Sequence, residues 1–241
     1  MNEEIIYPLG KDMKNLKNKN YNMSALTIAN TSGWVDKDNS HRVIARKEFE
    51  AQLKKQLHVT KYKCGVIVDT FIITGVMEEH EEELWLTEVK DNFLKLFIPT
   101  AKYCLVHLGD MEFKLYCILL NKYNMNQYYR LNENYFFSVK ELLETMGYNG
   151  TDGTNVRHLG ESLTVLKRLG LIDYNEEFVG RPGKHGLYRE LYWAAQKSVY
   201  DIESSGIRDA INEGCQLGAA DVNDAKMLGV TVPVQQLSTS E

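Results

Sequence analysis

The sequence predicts a mixed α+β fold: an N-terminal helix and small β-sheet region, then a region of three helices and a hairpin, then a weakly structured acidic C-terminal tail. Three observations carry this. Phe49, Leu53 and Leu57 recur every four residues, the period of a helix face. Runs such as GVIVDTFIITGV are dominated by β-branched and aromatic residues, which favour strands. From Asp110 onward, helix starts and stops are spelled out by capping residues and glycines.

Taken in order, residues 1–40 have little apolar periodicity and read as a polar arm. A helix is expected over Arg46–Leu57, and strands over Gly65–Val76, Leu84–Lys90, Phe93–Ile98 and Tyr103–Leu108, which with the helix make an N-terminal region of residues 41–107. EEHEEE between the first two strands reads as a solvated loop. Asp110 can cap a helix with Met111, Leu115, Ile118, Leu119 and Lys122 on one face, ending near Asn124. A short strand follows around Tyr135–Phe137. Ser138 and Glu141 then form a capping box, in which hydroxyl and carboxylate each take the other residue's amide. The helix they open turns Val139, Leu142, Leu143 and Met146 inward, and Gly147 stops it. After the turn YNGTDGT, a third helix carries Val156, Leu159, Leu163 and Leu166 in a stripe and ends at Gly170. Leu171–Tyr174 starts a strand, RPGKHG turns it, and LYRELYW returns. No stretch of sequence repeats another, and residues 201–241 are expected to hold short helices at most.

Charge is uneven beneath a net of -5. Residues 1–60 hold ten Lys/Arg against seven Asp/Glu, residues 103–200 eleven against eleven, and residues 201–241 two against seven. The acidic excess therefore lies mainly in the tail and in Glu78–Glu83. No apolar run approaches the ~20 residues of a membrane span, and MNEEIIYPLGKDMK is no signal peptide, so a cytoplasmic protein away from membranes is expected. Cys64, Cys104, Cys117 and Cys215 are widely spaced without a CxxC pair and are expected to be free thiols.

Helix, strand, helix, turn, helix and hairpin, with FSVKELLETMG and NVRHLGESLTVLKRLGLI, make residues 108 to about 195 resemble the winged helix-turn-helix DNA-binding family. The kind most similar is found in plasmid and phage replication initiators and regulators of low-GC bacteria, and the Asn-, Lys- and Tyr-rich composition is similar to that of AT-rich coding. One departure is the turn from Gly147 to Asn155, longer than the family's tight turn.

The resemblance implies a domain over residues 108–200 whose third helix enters the DNA major groove while the hairpin touches flanking backbone or minor groove. At ~100° per residue the apolar stripe leaves Thr154, Arg157, Glu161, Thr164 and Arg168 on the opposite side, with His158 on the flank. Arg157 suits guanine O6 and N7 and Thr154 or Thr164 a thymine methyl or a phosphate, whereas the Glu161 carboxylate is repelled by phosphates unless it accepts from cytosine N4. Asn155 and Lys167 complete the polar candidates of that helix. At the hairpin tip Arg181, Lys184 and His185 stand where phosphates would pass, and Ser138 and Lys140 open the second helix, whose amides favour a phosphate. Against this stand the neutral charge of residues 103–200, the commonness of basic surface turns, and the use of winged helices as protein-docking modules.

Sharper chemistries find no support in the sequence. GRPGKHG lacks the GxxxxGK[ST] spacing, and DKDNSH, opening at Asp36, has His41 and Lys47 where a calcium loop needs Gly and Glu. Neither GxSxG nor HExxH occurs, and Tyr128-Tyr129, lacking a paired-histidine metal motif, reads as packing. The expectation is a non-enzymatic, sequence-specific binder of double-stranded DNA, as a homodimer, without cofactor or metal. A replication initiator or accessory protein comes first. A transcription regulator and a docking subunit are the alternatives, and the acidic tail (201–241) suits a protein partner or shielding of the basic wing.

Overall fold

The structure, a computed structural model, describes residues 4–8, 22–36, 41–88, 93–129, 135–177, 179–180, 187–197 and 202. Residues 1–196 form one unit and residues 197–241 another. Of the tail, only Ile202 lies among the described residues.

The first unit is mixed α+β. Its N-terminal part runs β1 (Glu4–Pro8), α1 (Asn22–Ser32), β2 (Trp34–Val35), β3 (Arg42–Ala45), α2 (Arg46–Leu57), α3 (Lys61–Ile73), β4 (Met77–His80), β5 (Glu83–Leu86), β6 (Phe93–Phe97) and α4 (Ile98–His107). Helix α2 has the bounds the four-residue spacing predicts, burying Phe49 and Leu53. Strands β2-β3-β5-β4 make one antiparallel sheet and β1 pairs with β6 in another. In that pair Ile5, Tyr7, Leu94 and Leu96 are buried, each alternating with an exposed neighbour.

Several sequence expectations are corrected here. The polar arm is not one where it is described: β1 is built into a sheet, and α1 buries every residue from Asn22 to Ala29. A helix covered all round shows no amphipathic period. Gly65–Val76 and Tyr103–Leu108 are mainly helix, α3 and α4, despite their β-branched residues. Thr60 caps α3 by accepting from the Lys63 amide, and Cys64, Ile67, Val68 and Phe71 then recur at helical spacing inward. Pro99, at the start of α4, fits a first helical turn. EEHEEE is not a free loop but a β4–β5 hairpin turning at Glu81, which has φ 58°.

The rest is α5 (Asp110–Tyr128), β7 (Tyr135–Phe137), α6 (Val139–Met146), α7 (Gly153–Arg168), β8 (Ile172–Tyr174), β9 (Val179–Gly180) and β10 (Leu187–Ala194). Helix α5 outlasts its expected end at Asn124 and buries every residue from Phe113 to Leu120. Both parts of the unit close on it: the Phe113 ring lies 5.4 Å from Tyr7, and the Tyr116 hydroxyl donates to Ala195 O. Asp110 does not cap α5; its carboxylate accepts from the Met23 amide and so caps α1, while its other oxygen lies 2.9 Å from the buried Lys114 ammonium. At the far end, Tyr128 and Tyr129 stand exposed against each other rather than packed.

The two parts share a topology that no sequence repeat announces. Apart from the two-residue strands β2 and β9, which pair with β3 and β10, the N-terminal order is α1, β3, α2, α3, β4, β5 with strands hydrogen-bonded β3-β5-β4. The later order is then α5, β7, α6, α7, β8, β10 with strands β7-β10-β8. In each, the first strand pairs with the last, and the last also pairs with the second. Gly33 closes the first copy: a Cβ there would lie 2.5 Å from Val43 O and 2.9 Å from Ala29 O, both backbone. Gly33→Ala is expected to lower the unfolding free energy by about 1–3 kcal/mol, the usual range for overpacking. Urea denaturation checks it, and an unchanged midpoint would refute the close approach.

Candidate nucleic-acid interface

The candidate face is built on α6 and α7. The capping box forms in full: Ser138 Oγ accepts from the Glu141 amide at 3.1 Å, and Glu141 Oε2 accepts from the Ser138 amide. Glu141 Oε1 also accepts from the Tyr188 hydroxyl at 3.2 Å, which ties β10 to the start of α6. Tyr135 beside it is pushed up to about 12, first by burial and then by the Glu141 carboxylate. The Ser138 amide is thus engaged within the protein, whereas Lys140 is exposed, 3.9 Å from Glu144.

Gly147 ends α6 with φ 85°. The long turn after it is ordered by its own side chains. Asn149 Oδ1 accepts from the amide and hydroxyl of Thr151, and Asp152 caps α7 by accepting from the amides of Thr154 and Asn155. Asn155 Nδ2 donates to Asn149 O, so this side chain closes the turn. Gly150 lies against α6, where a Cβ would meet Lys140 Cγ at 2.8 Å and Lys140 O at 3.0 Å. The length and the glycine together set the approach of α7 to α6.

Leu159, Ser162, Leu163 and Leu166 form the buried side of α7. Ser162 Oγ donates to Glu112 of α5 at 2.7 Å, the polar partner that a serine inside an apolar stripe requires. Val156, expected in that stripe, is instead 38% exposed. Thr154, Arg157, His158, Glu161, Thr164 and Arg168 are all exposed on the other side. Arg157 Nε lies 3.8 Å from Glu161, and such an exposed i,i+4 pair is worth only about 0.3–0.5 kcal/mol. The Thr164 hydroxyl donates to Gly160 O. Arg168 has no ion-pair partner among the described residues and stands eleven positions beyond Arg157, roughly 16 Å along the axis at 1.5 Å per residue.

Lys167 has a different occupation. Its ammonium lies 3.0 Å from Glu176 and 3.1 Å from Asp173, donates to Tyr174 O, and sits 5.1 Å from the Tyr174 ring centroid. Its pKa is raised, chiefly by the hydrogen bond to Glu176. Lys167 therefore fastens α7 to β8 instead of facing outward. Arg189 of β10 stacks on the same ring at 5.5 Å. Strand β10 shifts register between Leu191 and Trp193, and Tyr192 and Trp193 stand partly exposed there. The sequence reading passed over these aromatics as ordinary strand residues. Gly180 pairs with Leu187, and Arg181, Lys184 and His185 between them lie outside the described residues.

Chemically, this face offers a guanidinium near the start of a firmly seated helix, hydroxyls and a histidine along it, and a second guanidinium at its end. Cys64, Cys104 and Cys117 are buried free thiols away from it, while Cys215 lies outside the described residues. No helix among the described residues is long and apolar enough to cross a membrane. No protein-family model, no curated protein and no solved structure matches the chain.

Proposed function

We propose that this chain is a sequence-specific binder of double-stranded DNA, with residues 108–196 acting as a winged helix-turn-helix. The observation that carries the reading is the order α5, β7, α6, α7, β8, β10 with strands β7-β10-β8, combined with an α7 whose inner side is packed and whose outer side is exposed and polar. In this reading α7 enters the major groove, with Arg157 on a guanine edge and Arg168 toward phosphate. The β8–β10 hairpin carries Arg181, Lys184 and His185 to the flanking backbone. Lys140 adds a further cation beside the turn.

A role in plasmid or phage replication, as initiator or accessory protein, remains the first setting, and a transcription regulator the second. Directly repeated sites in an AT-rich origin mark the first; a palindrome over a promoter marks the second. The neutral balance of the region makes affinity depend on few contacts, so the reading is sharply testable. Fluorescence anisotropy on duplexes from the gene's own neighbourhood, at about 50 and 200 mM salt, is the measurement. Arg157→Ala is expected to lose about 1–3 kcal/mol of preference for the favoured duplex, whereas Arg181→Ala/Lys184→Ala weakens all duplexes alike and flattens the salt slope. Wild type that fails to bind at the lower salt would overturn the proposal in favour of a protein-docking role.

A further inference from the structure

Helix α3 occupies in the first copy of the topology the place that α7 occupies in the second, yet its outward side is of another kind. Tyr62 is 82% exposed, Val66 36% and Ile73 84%, with the Asp69 side chain 59% exposed among them. Their spacing is four, three, four, which at 100° per residue confines them to a stripe about 60° wide, the pattern of a helix-pairing seam. The hairpin of this copy is equally unlike a DNA wing. Glu78, Glu79, Glu81, Glu82 and Glu83 are all exposed on it, and phosphates would be repelled.

The charges flanking the seam differ from end to end. At the start of α3 stand Lys61 and Lys63, one on each flank of the stripe, with Lys54 and Lys55 at the end of α2. Toward the other end, Asp69, Glu50 and Glu79 gather on Arg46 alone, leaving an acidic excess there, while Glu82 is matched by Lys47. A surface basic at one end and acidic at the other complements itself under a two-fold axis. Lys61 and Lys63 also oppose the dipole of their own helix, and an antiparallel neighbour would bring its carbonyl end to them.

We propose that a second copy of this chain covers this face, α3 packing antiparallel on α3 of the partner with each Tyr62 against the other copy's Ile73. The first copy of the topology then serves pairing and the second serves DNA. The test reads mass, so it stands or falls separately from DNA binding. Light scattering after gel filtration of the full chain, over about a hundredfold range of concentration, is expected to show mass rising to twice the chain. Ile73→Glu is expected to weaken association at least tenfold and, at dilutions where wild type is monomeric, to leave the melting temperature unchanged, since that side chain is exposed. Val106→Glu, at an equally apolar exposed position (76%) on α4, is expected to leave it intact. A wild type that stays monomeric throughout overturns the proposal, as does a dimer indifferent to Ile73→Glu. A short bis-maleimide with peptide mapping fixes the orientation. A mixture of Tyr62→Cys and Ile73→Cys chains is expected to be bridged between those positions, and neither variant alone. A bridge within one variant, or none in the mixture, overturns the antiparallel arrangement.

Discussion

Asp110→Ala is expected to lower the unfolding free energy by about 3–5 kcal/mol, the cost of removing one member of a buried ion pair. Lys114 has 1% of its side chain exposed and lies 2.9 Å from the carboxylate, so the substitution leaves an ammonium in the core without that counter-charge. It also removes the acceptor of the Met23 amide and hence the cap of α1. Burial raises the Asp110 pKa above its ordinary value even with Lys114, the main opposing influence, alongside. The folded chain thus holds this proton more tightly than the unfolded chain. Stability from this group accordingly falls as pH rises from the ordinary aspartate range through the raised value, and is level above it. Urea melts of Asp110→Ala and of Asp110→Ala/Lys114→Met decide the matter. The double variant is expected to recover the part of the loss due to the unpaired ammonium, which Met replaces at similar volume, but not the part due to the lost α1 cap. A single-variant loss under about 1 kcal/mol would mean that the pair is wet.

The second large effect is expected at Leu163. This side chain is fully buried at the middle of the inner side of α7, flanked by Leu159 and Leu166. Leu163→Ala is expected to cost about 2–5 kcal/mol, the methylenes lost plus the cavity left. Because it lies opposite the polar side of α7, the DNA preference proposed for this chain is expected to persist per folded molecule while the folded fraction falls. Paired denaturation and anisotropy measurements separate the two. A variant of full stability would show that α7 is not packed as the structure has it, whereas full folding with lost preference would place Leu163 at the DNA.

The later part of the chain was far more legible than the first. Ser138 with Glu141, Gly147 and Gly170 each mark a boundary by local chemistry, and β7, α6 and α7 fall where these marks put them. The α3 segment misleads because Val66, Ile67, Val68, Ile72 and Ile73 favour a strand by composition. Its helical signal is the spacing of Cys64, Ile67, Val68 and Phe71 behind the Thr60 cap. Helix α1 was hidden by its complete burial, and with both missed the shared topology could not be read. At the candidate site, the outward side of α7 followed from periodicity, Val156 apart. The engagement of Lys167 with Asp173 and Glu176 did not, because it depends on where β8 returns, which local sequence does not specify.

Helix α5 opens the second copy of the topology, yet it has no side to spare. Tyr7 and the start of α1 lie against it from one part, while Ser162 of α7 and Ala195 reach it from the other. A chain cut just ahead of Asp110 would keep every element of the second copy and still uncover apolar surface on its first helix. The smallest fragment that keeps the covering of α5 therefore spans both parts of residues 1–196: the shared topology does not divide into two separately excisable modules.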